Sequence, residues 1–261
     1  VSDIPTVDAV EQALVGLAVD PPAELASRIL AATDTVDRAA VISGPLGPLT
    51  IVFNDRGVVA CVPTEHWHEH LEQLEHQGGR RVVDADDLPP RLGAGLRRAL
   101  DSGRLGRLPV DLQALTPFQQ AVLRKTAEIP PGEVRPYGWI AREIGRPGAV
   151  RAVGSALSRN PIPVLIPCHR VSRSDGTIGR YAYGPEMKRD LLRHEGLDPD
   201  EVEDMAARNV RFVGSANGDE YCFPTCRHVR EIRPDNRIEF ASVQSAMDAG
   251  YHPCSVCRPA A

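Results

Sequence analysis

Aromatic residues are scarce, at 5% of the 261 residues, so any core is expected to be aliphatic. Lysine is scarcer: of 30 Lys+Arg residues, Lys125 and Lys188 are the lysines and arginine supplies the rest. No apolar stretch approaches the length of a membrane span, and Val1-Ser2-Asp3-Ile4-Pro5 carries no basic leader ahead of an apolar run. Neither a spanning segment nor a secretory signal is therefore expected. Internal repeats and low-complexity tracts are also missing, which argues against a solenoid or a disordered linker chain. These absences point to a soluble cytoplasmic protein, where thiols stay reduced. The cysteines Cys61, Cys168, Cys222, Cys226, Cys254 and Cys257 are then candidates for chemistry or metal binding rather than disulfides.

A hydrophobic content of 42% suffices for real cores, and the length suits two or three domains. The net charge of −5 argues at first against a nucleic-acid partner, but the charge is unevenly spread. Residues 1–116 hold 10 Lys+Arg against 17 Asp+Glu, residues 117–200 hold 13 against 9, and residues 201–261 hold 7 against 9. The middle third is locally basic, and local charge is what a phosphate backbone meets within a Debye length.

Val7, Val10, Leu14 and Leu17 keep helical spacing, and Leu25 to Ala32 resumes it after Pro21-Pro22. Residues 1–37 are read as a helical extension. Strands are expected over 38–62, with turns at Gly44–Pro48 and Asn54–Gly57. Helices near 64–77 and 88–102 complete an α/β unit over 38–111, and 103–115 reads as a linker. A helical unit over 112–200 follows. Thr116 can cap a helix that has Pro117 at its first position and Phe118, Val122 and Ile129 on its buried face. Short helices at 137–144 and 148–158, joined by Gly145-Arg146-Pro147, have helix-turn-helix shape. Ile162 to Pro167 reads as an extended run, and a helix is expected at 185–195. Residues 207–261 form a small module with too little apolar content to fold on a core alone. His66, His68, His70 and His76 cluster around Trp67 and read as an exposed helix face. Cys61 falls in a strand and reads as buried and inert.

The chemistry concentrates at Pro167-Cys168-His169-Arg170. Cations beside a thiol raise its thiolate fraction, the nucleophilic form. In the extended chain expected here, His169 and Cys168 would point to opposite faces, so His169 would act on the thiol only through a bridging group such as water. Cys222-x3-Cys226 and Cys254-x2-Cys257, 27 residues apart, have the spacing of a tetrahedral zinc site.

The segment Ile166-Pro167-Cys168-His169-Arg170-Val171 resembles the acceptor motif of the O6-alkylguanine-DNA alkyltransferases. The match extends through Phe118-Gln119-Gln120, Pro130-Pro131-Gly132, Tyr137, Ala149–Gly154, Asn160-Pro161, Gly176, Tyr181, Lys188 and His194-Glu195-Gly196. The resemblance implies an RNase H-like domain over 38–111 and a winged-helix-like alkyltransferase domain over 112–200. It also implies direct repair of O6-alkylguanine in double-stranded DNA by one irreversible transfer to Cys168, in a monomer. Glu195, His169 and a water would relay the thiol proton, Tyr137 would supply a proton to the guanine leaving group, and Asn160 would tie the acceptor segment to the preceding helix. That helix would enter the minor groove on its small residues Ala149, Ala152, Gly154 and Ser155, with Arg151 filling the place of the flipped base. Ala182 stands where some relatives carry serine, so a hydroxyl donor to the alkylated oxygen is absent there.

Residues Tyr221–Cys226 and Pro253–Pro259 resemble the zinc domain of the adaptive-response (Ada) methyltransferases, placed here at the opposite end of the chain. This implies one structural zinc on Cys222, Cys226, Cys254 and Cys257. Cys222 matches the position that in Ada also accepts methyl from phosphotriesters. Asp219 and Glu220 beside it disfavour a phosphate. A lesion sensor without chemistry would lack the acceptor cysteine, and a transcriptional regulator would need a DNA-binding regulator domain between 196 and 207.

Overall fold

The computed structural model describes residues 36–78 and 80–259; the expected N-terminal helix over 7–33 lies outside them. The architecture is mixed α/β. Strands β1 (Val36–Gly44), β2 (Gly47–Asn54) and β3 (Gly57–Pro63) form an antiparallel meander. A 3-10 turn at Thr64–His66 leads into α1 (Trp67–Gly78). Strand β4 (Arg81–Asp84) then adds parallel to β1, giving the order β3-β2-β1-β4. The register pairs Ala40 with Ile51 and Ile51 with Cys61, and buries Ile51, Phe53, Val58 and Cys61. Helix α2 (Pro90–Ser102) covers this face with Leu92, Leu96 and Ala99.

The expected linker at 103–115 is instead part of the core. Val58 N–H donates to Pro109 O at 3.0 Å, Asp111 N–H donates to Val58 O at 2.8 Å, and Leu108 and Leu112 are buried. Gly57 permits this approach. At φ +138° a Cβ would lie 2.4 Å from the Pro109 carbonyl oxygen.

Helix α3 (Pro117–Thr126) begins as the sequence predicts. The Thr116 hydroxyl accepts from Gln119 N–H, and the Gln119 side chain accepts from Thr116 N–H. The short strand β5 (Arg135–Pro136) then leads to α4 (Tyr137–Glu143) and α5 (Val150–Leu157), which pack on α3.

The expected extended run at 162–167 is a tight turn. Ile166 N–H donates to Ile162 O at 2.8 Å, Leu165 N–H to Pro163 O at 2.9 Å, and Val164 adopts φ +70°. Pro161, Pro163 and Pro167 cannot donate to a strand ladder. Asn160 supplies the missing partners, accepting from Ile162 N–H at 3.0 Å and donating to Ile166 O at 2.9 Å. A 3-10 turn, Cys168–Arg170, follows, then β6 (Val171–Ser172), parallel to β5. Helix α6 (Gly184–His194) follows in turn. Helix α7 (Pro199–Ala207), capped by Asp198, was not anticipated.

The C-terminal part carries its own sheet, in the order β10-β8-β7-β9. Its strands are β7 (Phe212–Ser215), β8 (Glu220–Cys222), β9 (Arg237–Phe240) and β10 (His252–Pro253), with helices α8 (Arg227–Glu231) and α9 (Val243–Asp248). Its buried Val213, Phe223 and Val229 join the same apolar cluster as Val122, Ile140 and Ile166. No helix among the described residues is long and apolar enough to cross a membrane.

Candidate active site and metal centre

The Asn160-braced turn delivers Cys168 to the floor of a cavity of about 210 Å³, lined by Tyr137, Gly154, Leu157, Ser158, Tyr181 and Ala182. The Asn160 amide donates to Cys168 Sγ at 3.3 Å. Burial pushes the thiol's pKa up, opposed by that hydrogen bond and by the Lys188 ammonium. The resting thiol is therefore neutral, contrary to the expectation that its sequence neighbours would ionise it. Arg170 does not face the sulfur. It is 1% exposed and spends its donors on Glu195, on Ile129 O at 2.6 Å and on Gly103 O at 2.6 Å.

His169 is buried, and its Nε2 lies 2.8 Å from Glu195 Oε1. Its Nδ1 has no hydrogen-bond partner among the described residues. Burial lowers the imidazole's pKa and Glu195 draws it back up. Burial also works against ionising Glu195. Hydrogen bonds from His169 and Arg170, with their charges, outweigh that and bring the carboxyl down to about 2. Glu195 also accepts from Gly132 N–H at 3.2 Å. The result is a fixed anion, an imidazole that can take a proton, and a neutral thiol beside them.

Tyr137 opens α4 at the cavity wall, with its pKa raised by burial and by the thiol. The Tyr181 hydroxyl is buried, without a partner among the described residues. Lys188 is buried and donates to Val171 O at 2.7 Å; burial brings its pKa down to about 8. Sequence reasoning aimed the Arg170 charge at the thiol rather than at Glu195 and gave Lys188 no electrostatic part, because both depend on where long side chains turn.

Arg151, Ala152 and Ser155 lie on the exposed face of α5, with Ala149 and Gly154 half-buried. The same helix supplies the cavity wall through Gly154 and Leu157. His66 and His70 are not simply a solvated face. Both rings pack on Tyr183, whose hydroxyl is 3.2 Å from His70 Nε2. Cys61 is fully buried, and burial raises its pKa to about 12, which leaves it inert.

At the far end, Cys222 closes β8, Cys226 precedes α8, and Cys254 and Cys257 follow β10. Donor atoms of Cys222, Cys226, His228 and Cys254 lie within 4.8 Å of one another. Cys257 adjoins Cys222 and Cys226 and accepts from Phe223 N–H at 3.4 Å. Thiols crowded this closely do not keep ordinary protonation. Hydrogen bonds from Cys222 and Cys257 drive the Cys226 pKa far down, while hydrogen bonding to Cys226 drives that of Cys222 far up. Such a cluster is relieved by a thiolate-binding cation. Sequence reasoning missed His228, although a histidine two residues after Cys226 is a ligand-like spacing.

The metal centre is seated on the segment that holds Glu195. Arg230 donates to Gly132 O, Arg227 N–H to Glu133 Oε1 at 3.2 Å, and Val134 N–H to Thr225 Oγ1 at 2.9 Å. Arg135, paired with buried Glu133, lies over the rings of Phe223 and Trp139. Arg258 Nε reaches Glu143 Oε1 at 3.0 Å.

Residues 117–197 match the family described as the DNA-binding domain of 6-O-methylguanine DNA methyltransferase, and residues 201–260 match the metal-binding domain of Ada. The methylated-DNA–protein-cysteine methyltransferase of Salmonella typhimurium is 39% identical over 165 residues, which span 59% of this chain and 93% of that protein. The bifunctional transcriptional activator and DNA repair enzyme Ada of Escherichia coli is 48% identical over 88 residues, 34% of this chain and 25% of that protein. The crystal structure of Mycobacterium tuberculosis OGT in complex with DNA aligns with a TM-score of 0.49 at 31% identity, covering 63% of this chain and 98% of that one. The C-terminal cluster is a structural zinc site, and the cation supplies there the cross-link that a small core does not. The chain therefore belongs to the methylated-DNA–protein-cysteine methyltransferase family and carries an Ada-type metal-binding domain after its DNA-binding domain.

Proposed function

We propose that this chain repairs O6-alkylguanine in duplex DNA by a single, irreversible transfer of the alkyl group to Cys168. The observation that carries the reading is the Cys168 thiol at the floor of an open cavity, beside a buried His169–Glu195 pair at 2.8 Å. His169 takes the thiol proton through a water at Nδ1, and Glu195 stabilises the imidazolium. The S–C bond forms as the C–O6 bond breaks, and the departing guanine takes a proton from Tyr137. The thioether has no leaving path, so each chain acts once. Asn160 orients the sulfur.

The lesion's carbon is buried in a stacked duplex, so the base must leave the stack. Helix α5 offers small residues to the minor groove, and Arg151 fills the gap, one wall away from the cavity. We assign residues 38–111 to an RNase H-like domain, 112–200 to a winged-helix-like catalytic domain and 207–261 to the zinc domain, acting as a monomer. The free cysteines suit the reducing cytoplasm. Cys222 serves the metal and takes no methyl from phosphotriesters: Asp219, Glu220 and Glu231 outnumber Arg233 in the lining of the cavity beside it and disfavour the charged phosphates that flank such a lesion.

Incubation with excess O6-methylguanine duplex should add one methyl per chain, mapped by peptide mass to Cys168. Equal mass gain in Cys168→Ala would refute the assignment.

A further inference from the structure

The metal centre holds more donors than a tetrahedral ion uses. The four cysteines of the expected set, Cys222, Cys226, Cys254 and Cys257, would by themselves complete a tetrahedral ion, yet the donors that lie within 4.8 Å of one another are Cys222, Cys226, His228 and Cys254, and His228 Nδ1 lies 3.6 Å from Cys254 Sγ. Ligand bonds of about 2.3 Å to sulfur and about 2.05 Å to nitrogen, at tetrahedral angles, put neighbouring S and N donors about 3.6 Å apart. The imidazole thus stands at ligand distance rather than merely nearby. Its backbone N–H also donates to Cys226, which ties the ring's position to a ligand cysteine.

A second observation identifies the cysteine that His228 can replace. A cavity of about 540 Å³ opens beside the centre, and of the five donor residues only Cys222 and His228 line it. Cys226 and Cys257 are held from behind, where Phe223 N–H donates to Cys257 and the buried Arg135 faces both sulfurs, and Cys254 is buried away from the cavity. A ligand that leaves the ion must move into open space, and its replacement must come from the same side. Glu220, whose Oε2 lies 3.9 Å from His228 Nδ1, lines the same cavity.

We propose that His228 is a fifth zinc donor, able to take the coordination position of Cys222 so that this thiolate can leave the metal without the metal leaving the protein. Because the centre braces Gly132, and through it Glu195, this arrangement would keep the repair relay assembled when Cys222 is detached or modified.

Zinc per chain, measured after gel filtration of the full chain, tests this. Cys222→Ser should keep close to one zinc, Cys222→Ser with His228→Ala should lose it, and Cys226→Ser should lose it with or without His228. Cobalt-loaded Cys222→Ser should show the spectrum of three thiolates and one imidazole. Far-UV circular dichroism and the gel-filtration elution volume of the same samples report that the chain is folded. Where Cys222→Ser does not fold, His228→Ala alone serves: it should release zinc to a chelator about tenfold faster than wild type, in line with the cost of disturbing ligand support. Loss of zinc from folded Cys222→Ser as complete as from Cys226→Ser, equal retention in the single and double variants, or an unchanged release rate in His228→Ala would each overturn the proposal.

Discussion

Replacing Glu195 by glutamine removes a charge while keeping the side chain's shape. In the wild-type chain the carboxylate is shared by His169 Nε2 at 2.8 Å, Arg170 Nη2 at 2.6 Å, Arg170 Nε at 2.9 and 3.0 Å, and Gly132 N–H at 3.2 Å. Its side chain is 8% exposed and Arg170 is 1% exposed, so water cannot take over either group's partner. The carboxyl pKa falls from 4.5 to about 2 on folding. At about 1.4 kcal/mol per unit this corresponds to roughly 3 kcal/mol of stability. Because the folded value is depressed, that stability is fully present above pH 4.5 and is lost as pH falls through about 2. Glu195→Gln should therefore unfold at lower urea by about 3–5 kcal/mol, the larger figure applying because Arg170 is left buried and unpaired. The stability slope between pH 4.5 and 2 should flatten by the same group's share. Reaction with O6-benzylguanine should slow by about 100-fold or more, the usual contribution of a positioned base. A stability loss under about 1 kcal/mol with an unchanged acid slope would refute the electrostatic account of Glu195.

Two other substitutions separate holding DNA from holding the relay. Arg151→Ala should slow repair of duplex DNA by about tenfold or more and leave reaction with free O6-benzylguanine near wild type; equal slowing of both would mean that Arg151 acts on the pocket or the fold. Gly132→Ala puts a Cβ 2.6 Å from Arg230 Nη2 and 2.9 Å from Glu195 O, at φ +71°. It should cost about 1–2 kcal/mol for the left-handed backbone alone, read by thermal unfolding. It should also slow Cys168 alkylation, because the contact with Glu195 shifts. Unchanged alkylation kinetics would show that the zinc domain does not brace the relay.

Local chemistry carried much of what was legible in the chain. Thr116-Pro117 capped its helix as read, because a cap depends on residues within one turn. The hairpins at Gly44–Gly47 and Asn54–Gly57 formed where turn residues interrupt β-branched runs. The run at 162–167 was misread because its apolar character outweighed its prolines, which deny a ladder its donors. The segment at 103–115 was misread because its leucines gain meaning only against β3.

The sequence by itself determined the metal and the family and singled out Cys168: that residue sits in a contiguous motif, and paired cysteines call for zinc whatever the fold around them. Tertiary structure alone decided how those parts work together. Arg170 turns from the adjacent thiol to a carboxylate 25 residues away, Lys188 becomes the buried cation beside Cys168, and Arg230 reaches Gly132 across 98 residues. His228 arrives at ligand distance from Cys254. Each of these depends on the direction of a long or planar side chain packed against a distant segment. Motif and periodicity record what a residue is and its place along the chain, but not which way packing turns it.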